Sequence, residues 1–206
     1  MKPAVCILNY GSGNVQSVYN LLEAMGVKAE LSNDPQKIQA ASHLILPGVG
    51  AFGTAMEKIK ANLPMEMIAD QVLERKKPFL GICVGMQVLA DKGYEFGEHE
   101  GLAWIPGEVR RLEAGDLPLP NIGWNDIRIK KEHALLKHFV TAPDFYFVHS
   151  YVFKEKNPED VLATTGYGQD FTSVIGRANI LGVQFHPEKS QKAGMILMKN
   201  FLGDLA

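Results

Sequence analysis

Residues 78–89 read PFLGICVGMQVL, and this stretch decides the fold. It begins as the short apolar run of a buried strand and continues, after Cys83, as a helical pattern. Open α/β sheets place their functional groups where strands end and helices begin, so the cysteine stands in a crevice. Gly81 and Gly85 permit a sharp bend, and the amide groups at the helix start favour a thiolate. The pattern predicts a nucleophile elbow; the alternative is a small thiol packed under a helix.

Strand and helix patterns alternate through the first half of the chain, which is typical of parallel strands with crossover helices. Helical patterns cover 15–25, with Asn14 as N-cap and Gly26 as stop, and begin again near Asp34 and Met65. Strands are predicted at 4–9, 27–31, 43–48 and 78–83.

The second half is rich in strand patterns and closes with a helical pattern over 190–205. Its predicted strands are 108–112, 122–129, 145–153, 161–168, 172–177 and 180–185. Since no linker separates the halves, we expect one domain over residues 1–206. The fold class is α/β, with a mixed, mostly parallel open sheet flanked by helices, as in flavodoxin-like proteins.

Composition excludes several classes of function. The 206 residues are 46% hydrophobic, with 21 basic and 23 acidic side chains spread along the chain. Without a basic cluster or a long apolar run, neither nucleic acid nor membrane is an expected partner. Only Cys6 and Cys83 are present, which predicts thiols in a reducing, cytoplasmic compartment rather than a disulfide framework.

A second motif supplies partners for the thiol. In GVQFHPEKS, residues 182–190, an apolar strand runs into His186, and Glu188 follows across a proline. A cysteine nucleophile needs an imidazole to carry its proton, and the imidazole needs a carboxylate to fix its tautomer. We therefore predict a triad of Cys83, His186 and Glu188. His149, on a predicted core strand, is the rival base.

These two motifs, GICVGMQ and FHPEKS, resemble the signatures of the triad, or class I, glutamine amidotransferases. Further segments resemble the glutaminase subunits of imidazole glycerol phosphate synthases in particular; they are NYGSGN (9–14), LPGVGAFG (46–53), NIGWN (121–125) and YFVHSY (146–151). The resemblance spans nearly the whole chain. It implies an amidotransferase-like fold and a glutaminase that delivers ammonia to a cyclase subunit for histidine biosynthesis, as one half of a heterodimer.

The resemblance also implies the role of individual residues. Cys83 attacks the side-chain amide of glutamine, His186 carries protons, and Glu188 orients His186. Backbone amides bind the oxyanion, and the residues implied are Val49, Gly50 and Val84. Side chains that contact the two charged ends of glutamine are implied at Gln87, Ser150 and Tyr151. The residues implied at the partner face are Asn9, Asn14, Trp124, Tyr146 and Lys189.

No metal and no cofactor are expected, because acyl transfer by a thiolate needs neither. GSGNVQ, residues 11–16, resembles part of a dinucleotide fingerprint, but Gln16 stands where the third glycine belongs. Three alternatives stay open: a glutaminase for another synthase, such as anthranilate or aminodeoxychorismate synthase, a dinucleotide-binding or redox module, and a non-catalytic scaffold subunit.

Overall fold

The computed structural model describes residues 5–139 and 142–203. Four strands of the first half lie where the apolar runs predict them: β1 (Val5–Leu8), β2 (Ala29–Ser32), β3 (His43–Gly48) and β4 (Phe79–Cys83). They pair in parallel, as predicted. The predicted ends at residues 4 and 204–205 lie outside the described residues.

These strands belong to an eight-stranded sheet in the order β2-β1-β3-β4-β14-β13-β12-β9. The last four strands come from the second half: β9 (Arg128–Ile129), β12 (Val161–Tyr167), β13 (Gln169–Arg177) and β14 (Ile180–Val183). β14 extends the parallel part beside β4, and the other three add antiparallel pairs. The expected mixed, mostly parallel sheet is therefore confirmed.

Two smaller sheets carry the remaining strands. The first pairs β8 (Asn121–Asp126) with β10 (Asp144–His149). The second has the order β11-β7-β5-β6, formed by β5 (Lys92–Gly93), β6 (His99–Glu100), β7 (Gly107–Arg111) and β11 (Tyr151–Glu155). The predicted strands 122–129 and 145–153 are thus each divided between two sheets, at Ile127 and at Ser150. In 122–129 the apolar residues change from even to odd positions at this break, whereas 145–153 is apolar on both sides of Ser150 and gives no sign of the change.

Helices flank the large sheet: α1 (Val15–Ala24), α2 (Pro35–Ala40), α3 (Phe52–Asn62), α4 (Met65–Ala69), α5 (Val84–Gln87) and α6 (Gln191–Leu202). The expectation of two helical segments between β2 and β4 missed α3, which buries Phe52, Met56 and Ile59 at helical spacing. A π-helical turn (Asp70–Glu74) continues α4, and 3-10 turns lie at Ala134–Leu136, Pro158–Asp160 and Pro187–Lys189. Within the described ranges, none of the helices has the length and apolar character needed to cross a membrane.

The parallel strands bring the functional residues together. β4 and β14 are neighbours, with Ile82 in register with Val183, so Cys83 and the segment after Val183 emerge at the same edge of the sheet. β3 lies on the other side of β4 and ends at Gly48, opposite Cys83. The carboxyl ends of three adjacent strands therefore supply one crevice.

Candidate active site

Cys83 sits at a strained elbow between β4 and α5. Its φ of 56° and ψ of −112° lie outside the regions that side chains usually occupy. The turn needs close backbone contacts, because a Cβ on Gly85 would lie 1.8 Å from the Leu46 carbonyl oxygen. A Cβ on Gly81 would lie 2.4 Å from the Gly85 carbonyl oxygen. The two glycines therefore allow the predicted bend, although α5 has only four residues.

His186 and Glu188 lie beside this thiol. The 3-10 turn Pro187–Lys189 follows His186 directly, and it brings His186 Nδ1 to 2.8 Å from Glu188 Oε1. The side chains are 3% and 0% exposed. His186 and Cys83 line the same cavity, and the two side chains interact electrostatically. The structure thus brings the three predicted triad residues together, with His186 bonded to Glu188 and beside Cys83.

The charges of these three residues favour proton transfer from the thiol to the imidazole. Burial alone would lower the pKa of His186, but its interactions with Cys83 and Glu188 outweigh burial and raise that pKa to about 10. An imidazole with a raised pKa holds an added proton more firmly than a free imidazole does. His186 can therefore accept the thiol proton and later return it to a leaving group.

His149, the rival base, has both ring nitrogens engaged elsewhere. Nδ1 lies 3.1 Å from the Tyr151 carbonyl oxygen, so it must carry the proton and donate it. Nε2 then accepts from the Asn121 amide at 3.2 Å. Burial lowers the pKa of His149 to about 4. This neutral, fully bonded ring is arranged for support of the neighbouring strands rather than for proton transfer.

The residues predicted to bind the oxyanion are only partly arranged for that role. Val84 is the first residue of α5, so its N–H has no acceptor within the helix. The N–H of Val49, in the loop after β3, donates instead to the Ser12 hydroxyl at 3.2 Å. Gly50 beside it has a φ of 95°, a conformation that glycine adopts readily. In this arrangement Val49 does not contribute a donor at the thiol, although Val49 and Gly50 both line the cavity there.

A cavity of about 170 Å³ opens in front of Cys83 and reaches His186. Gln87, Ser150 and Tyr151, for which contacts with the substrate are predicted, line it. The Gln87 amide is already engaged, donating to the Tyr151 carbonyl at 2.9 Å and to Gln184 Oε1 at 3.1 Å.

Two further residues reach the site without having been predicted. Glu95 lines the cavity, half-buried, and its carboxylate accepts the Phe52 N–H at 2.9 Å. Burial raises the pKa of Glu95, with an opposing effect from that hydrogen bond. Gln184 is fully buried and donates to Cys83 Sγ at 3.8 Å. It stands two residues before His186, so strand alternation could have indicated a shared face; the loop around Glu95 carries no such signal.

Three of the residues predicted at the partner face lie next to one another, and one of them, Lys189, lines the cavity. Trp124 is 47% exposed and packs edge-on against Tyr146, with ring centroids 5.9 Å apart. The Lys189 ammonium lies 5.6 Å from the centre of the Tyr146 ring, and Lys189 lines the cavity. Ile122, on the same face of β8 as Trp124, is 60% exposed. Ile122, Trp124 and Tyr146 thus form an apolar outer face on β8 and β10, and the Lys189 ammonium group lies beside it.

The two asparagines of the first loop differ in placement. Asn9 is exposed, and its side chain accepts the Gly11 N–H at 3.3 Å. Asn14 is 6% exposed and points inward, so its side chain lies away from the surface predicted for it. It occupies the N-cap position of α1 as expected but makes no capping hydrogen bond. It donates to Glu188 Oε1 at 3.3 Å instead.

Comparison with known proteins gives one consistent result. The glutamine amidotransferase class-I family model matches residues 6–205. The chain is 45% identical to "Imidazole glycerol phosphate synthase subunit HisH" of Salinibacter ruber, covering 95% of this chain and 92% of the relative. It is 44% identical to the protein of the same name in Brucella abortus, at 96% and 97% coverage.

Solved structures agree on the fold. The structure titled "Structure of PurLQS from Thermotoga maritima" superposes with a TM-score of 0.77, at 19% identity and 98% coverage of both chains. A chain titled "Crystal structure of glutamine amidotransferase" gives a TM-score of 0.75, at 20% identity and 96% coverage of both. At these identities the similarity is one of fold.

Proposed function

Because this chain belongs to the glutamine amidotransferase class-I family, we propose that it is the glutaminase subunit of an imidazole glycerol phosphate synthase. It hydrolyses glutamine to glutamate and ammonia in the cytoplasm, and the ammonia passes to a cyclase subunit in histidine biosynthesis. The observation that carries the chemistry is that Cys83 and His186 line one cavity while the buried Glu188 hydrogen bonds to His186 from behind. The relatives at 41–45% identity, which bear one synthase's name, support this acceptor over other synthases.

The reaction begins with transfer of the Cys83 proton to His186. The thiolate then attacks the side-chain carbonyl carbon of glutamine, and the carbonyl π electrons move to oxygen. His186 gives its proton to the amide nitrogen, the C–N bond breaks, and ammonia leaves a thioester on Cys83. Water, deprotonated by His186, attacks the thioester, and the C–S bond breaks to release glutamate. Glu188 stabilises the imidazolium in both steps.

The oxyanion of each tetrahedral intermediate needs two donors. The Val84 N–H at the start of α5 is one of them. The loop of Val49 and Gly50 provides the second after its peptide turns away from Ser12. A loop whose donor is engaged elsewhere supports a glutaminase that is slow alone and fast in its complex.

Substrate binding uses the walls of the cavity. Ser150 and Tyr151 contact the charged α-substituents of glutamine, with Gln87 at the base of the cavity. Glu95 adds a carboxylate for the α-ammonium group, since an anion facing a cation in a half-buried site is favourable. The same carboxylate accepts the Phe52 N–H at the start of α3. Glu95 therefore contacts both the substrate and the start of α3, the helix that follows the oxyanion loop.

The cyclase subunit docks around the mouth of the cavity. Exposed apolar side chains there support a protein partner, because large apolar groups seldom gather on a monomer's surface; they are Val49, Phe96, Ile122 and Trp124. Lys189, one residue after Glu188, pairs with an acidic residue of the partner. Asn9 lies at the edge of this contact. Neither nucleic acid nor a membrane takes part.

The direct test is to assay the purified chain, alone and with the cyclase subunit, for glutamate release and for imidazole glycerol phosphate formation. We expect both activities in the complex when the nucleotide substrate is present. Glutamine hydrolysis coupled to another acceptor, with no product from this nucleotide, would show a glutaminase of a different synthase. Absence of hydrolysis under all conditions would contradict the proposal.

A further inference from the structure

We infer that the side-chain amide of Asn14 positions Glu188 for catalysis. This inference rests on the proposed glutaminase function. Asn14 touches neither the thiol nor the cavity, so its effect on the reaction passes through the carboxylate. It is a positioning residue, contributed by the loop before α1, more than 170 residues away in the chain from Glu188.

The surroundings of Glu188 explain why it needs such a neighbour. Its side chain is 0% exposed, so water cannot satisfy the carboxylate. Oε1 accepts from His186 at 2.8 Å and from Asn14 at 3.3 Å. Oε2 is buried and has no hydrogen-bond partner among the described residues. A buried carboxylate with few donors is costly, so each donor that remains has a large effect on its energy and orientation.

The orientation of the Asn14 amide is set by a second side chain. The Ser12 hydroxyl donates to Asn14 Oδ1 at 3.1 Å, which leaves the NH₂ group turned to Glu188. Ser12 itself accepts the Val49 N–H at 3.2 Å. Every donor in this row points the same way, from Val49 through Ser12 and Asn14 to the carboxylate. An inverted amide would set Oδ1 against Glu188 and oppose two negative groups.

The amide is not needed for the helix that follows it. Asn usually stabilises an N-cap by accepting a backbone N–H, but the Asn14 side chain makes no such bond. Both of its polar ends face Ser12 and Glu188 instead. Loss of the amide should therefore reduce turnover more than stability. A purely structural link between two loops would do the reverse.

The experiment compares Asn14→Leu and Asn14→Asp with wild type in the complex with the cyclase subunit and its nucleotide substrate. Asn14→Leu keeps the approximate size and removes both polar ends. We expect its kcat for glutamine hydrolysis to fall about tenfold, as for loss of a hydrogen bond to a charged group, with KM for glutamine unchanged. Asn14→Asp should be worse, because it faces one carboxylate with another. Asn20→Leu, the same change at an exposed position of α1, is the matched control and should retain wild-type kcat.

A double-mutant cycle separates positioning from folding. In a Glu188→Ala background, Asn14→Leu should change kcat by less than about twofold, because the residue through which it acts is gone. The rate at which iodoacetamide alkylates Cys83 can be measured for the same four proteins without turnover. Asn14→Leu should change this rate when Glu188 is present and have little effect on it in the Glu188→Ala background. Thermal melts report whether each variant folds.

An equal loss of kcat in both backgrounds, or an unchanged kcat in Asn14→Leu, would overturn the role of Asn14. So would a raised KM with unchanged kcat. A wild-type complex that fails to hydrolyse glutamine would instead overturn the proposed function, so the two failures are distinguishable.

Discussion

His186 Nδ1 lies 2.8 Å from Glu188 Oε1, although a proline separates the two residues in the chain. Two hydrogen bonds to the His186 backbone hold the turn that creates this pair. The His186 N–H donates to the Tyr146 carbonyl at 2.9 Å, and the Ser190 hydroxyl donates to the His186 carbonyl at 2.6 Å. The base is therefore fixed from the strand β10 on one side and from the start of α6 on the other.

This arrangement predicts a ranking of the triad variants. His186→Gln should lower kcat for glutamine hydrolysis nearly as far as loss of the nucleophile, by about 10⁴-fold or more, because no other group carries the proton. Glu188→Gln should retain more activity, since it removes only the orienting charge. Steady-state assays of the complex give the order. Loss of activity in His149→Gln together with an active His186→Gln would assign the base to His149.

His149 should affect acid stability rather than catalysis. Burial lowers its pKa to about 4, whereas the unfolded residue titrates at the ordinary value of 6.5. The unfolded chain thus binds the extra proton first, so His149 contributes stability that is complete above pH 6.5 and is lost as pH falls toward 4. Urea unfolding of His149→Gln against wild type should show a shallower decline over that range, by up to about 1.4 kcal/mol per pH unit. Parallel pH curves would contradict this.

The elbow at Cys83 predicts a gain in stability when its side chain is removed completely. Glycine adopts a φ of 56° with a ψ of −112° without a steric penalty, and alanine does not. We expect Cys83→Gly to be more stable than Cys83→Ala by about 1 kcal/mol. This is the net difference once the entropic cost of glycine is subtracted from the strain that it relieves. Chemical denaturation of the two inactive variants measures this. A more stable alanine variant would show that the elbow is not strained.

Much of this account could be predicted from the sequence, because its signals are local. Strand, bend and thiol adjoin one another in residues 79–85, and His186 and Glu188 share one short turn. We did not predict helix α3, although its buried residues recur at helical spacing, because the segment was interpreted from the loop motif that precedes the helix. Asn14 looked like a helix cap and a surface residue. Asn14 lies in the loop after β1, and Glu188 lies in the turn after β14. Only the folded chain brings these two residues together.

The partner should control the oxyanion loop. The Val49 N–H is engaged by Ser12 at 3.2 Å, so the isolated chain lacks one donor. We expect low glutaminase activity from the isolated chain. In the complex with nucleotide the activity should rise by about 10²-fold or more, as for restoration of one oxyanion donor. Complexes that carry Lys189→Ala or Trp124→Ala should show a smaller rise. Matched assays with and without partner and nucleotide test the coupling. Full activity of the isolated chain, without response to either, would contradict control by the partner and leave the triad unaffected.

The most direct test of the central claim uses Cys83→Ala in the complex with the cyclase subunit. Two rates are measured on the same preparation: glutamate release from glutamine, and imidazole glycerol phosphate formation driven by added ammonium salt. The thiol is small and contributes little to packing, so glutamine hydrolysis should be abolished while the ammonia-driven reaction stays at the wild-type rate. Glutamine hydrolysis by Cys83→Ala near the wild-type rate would contradict the account.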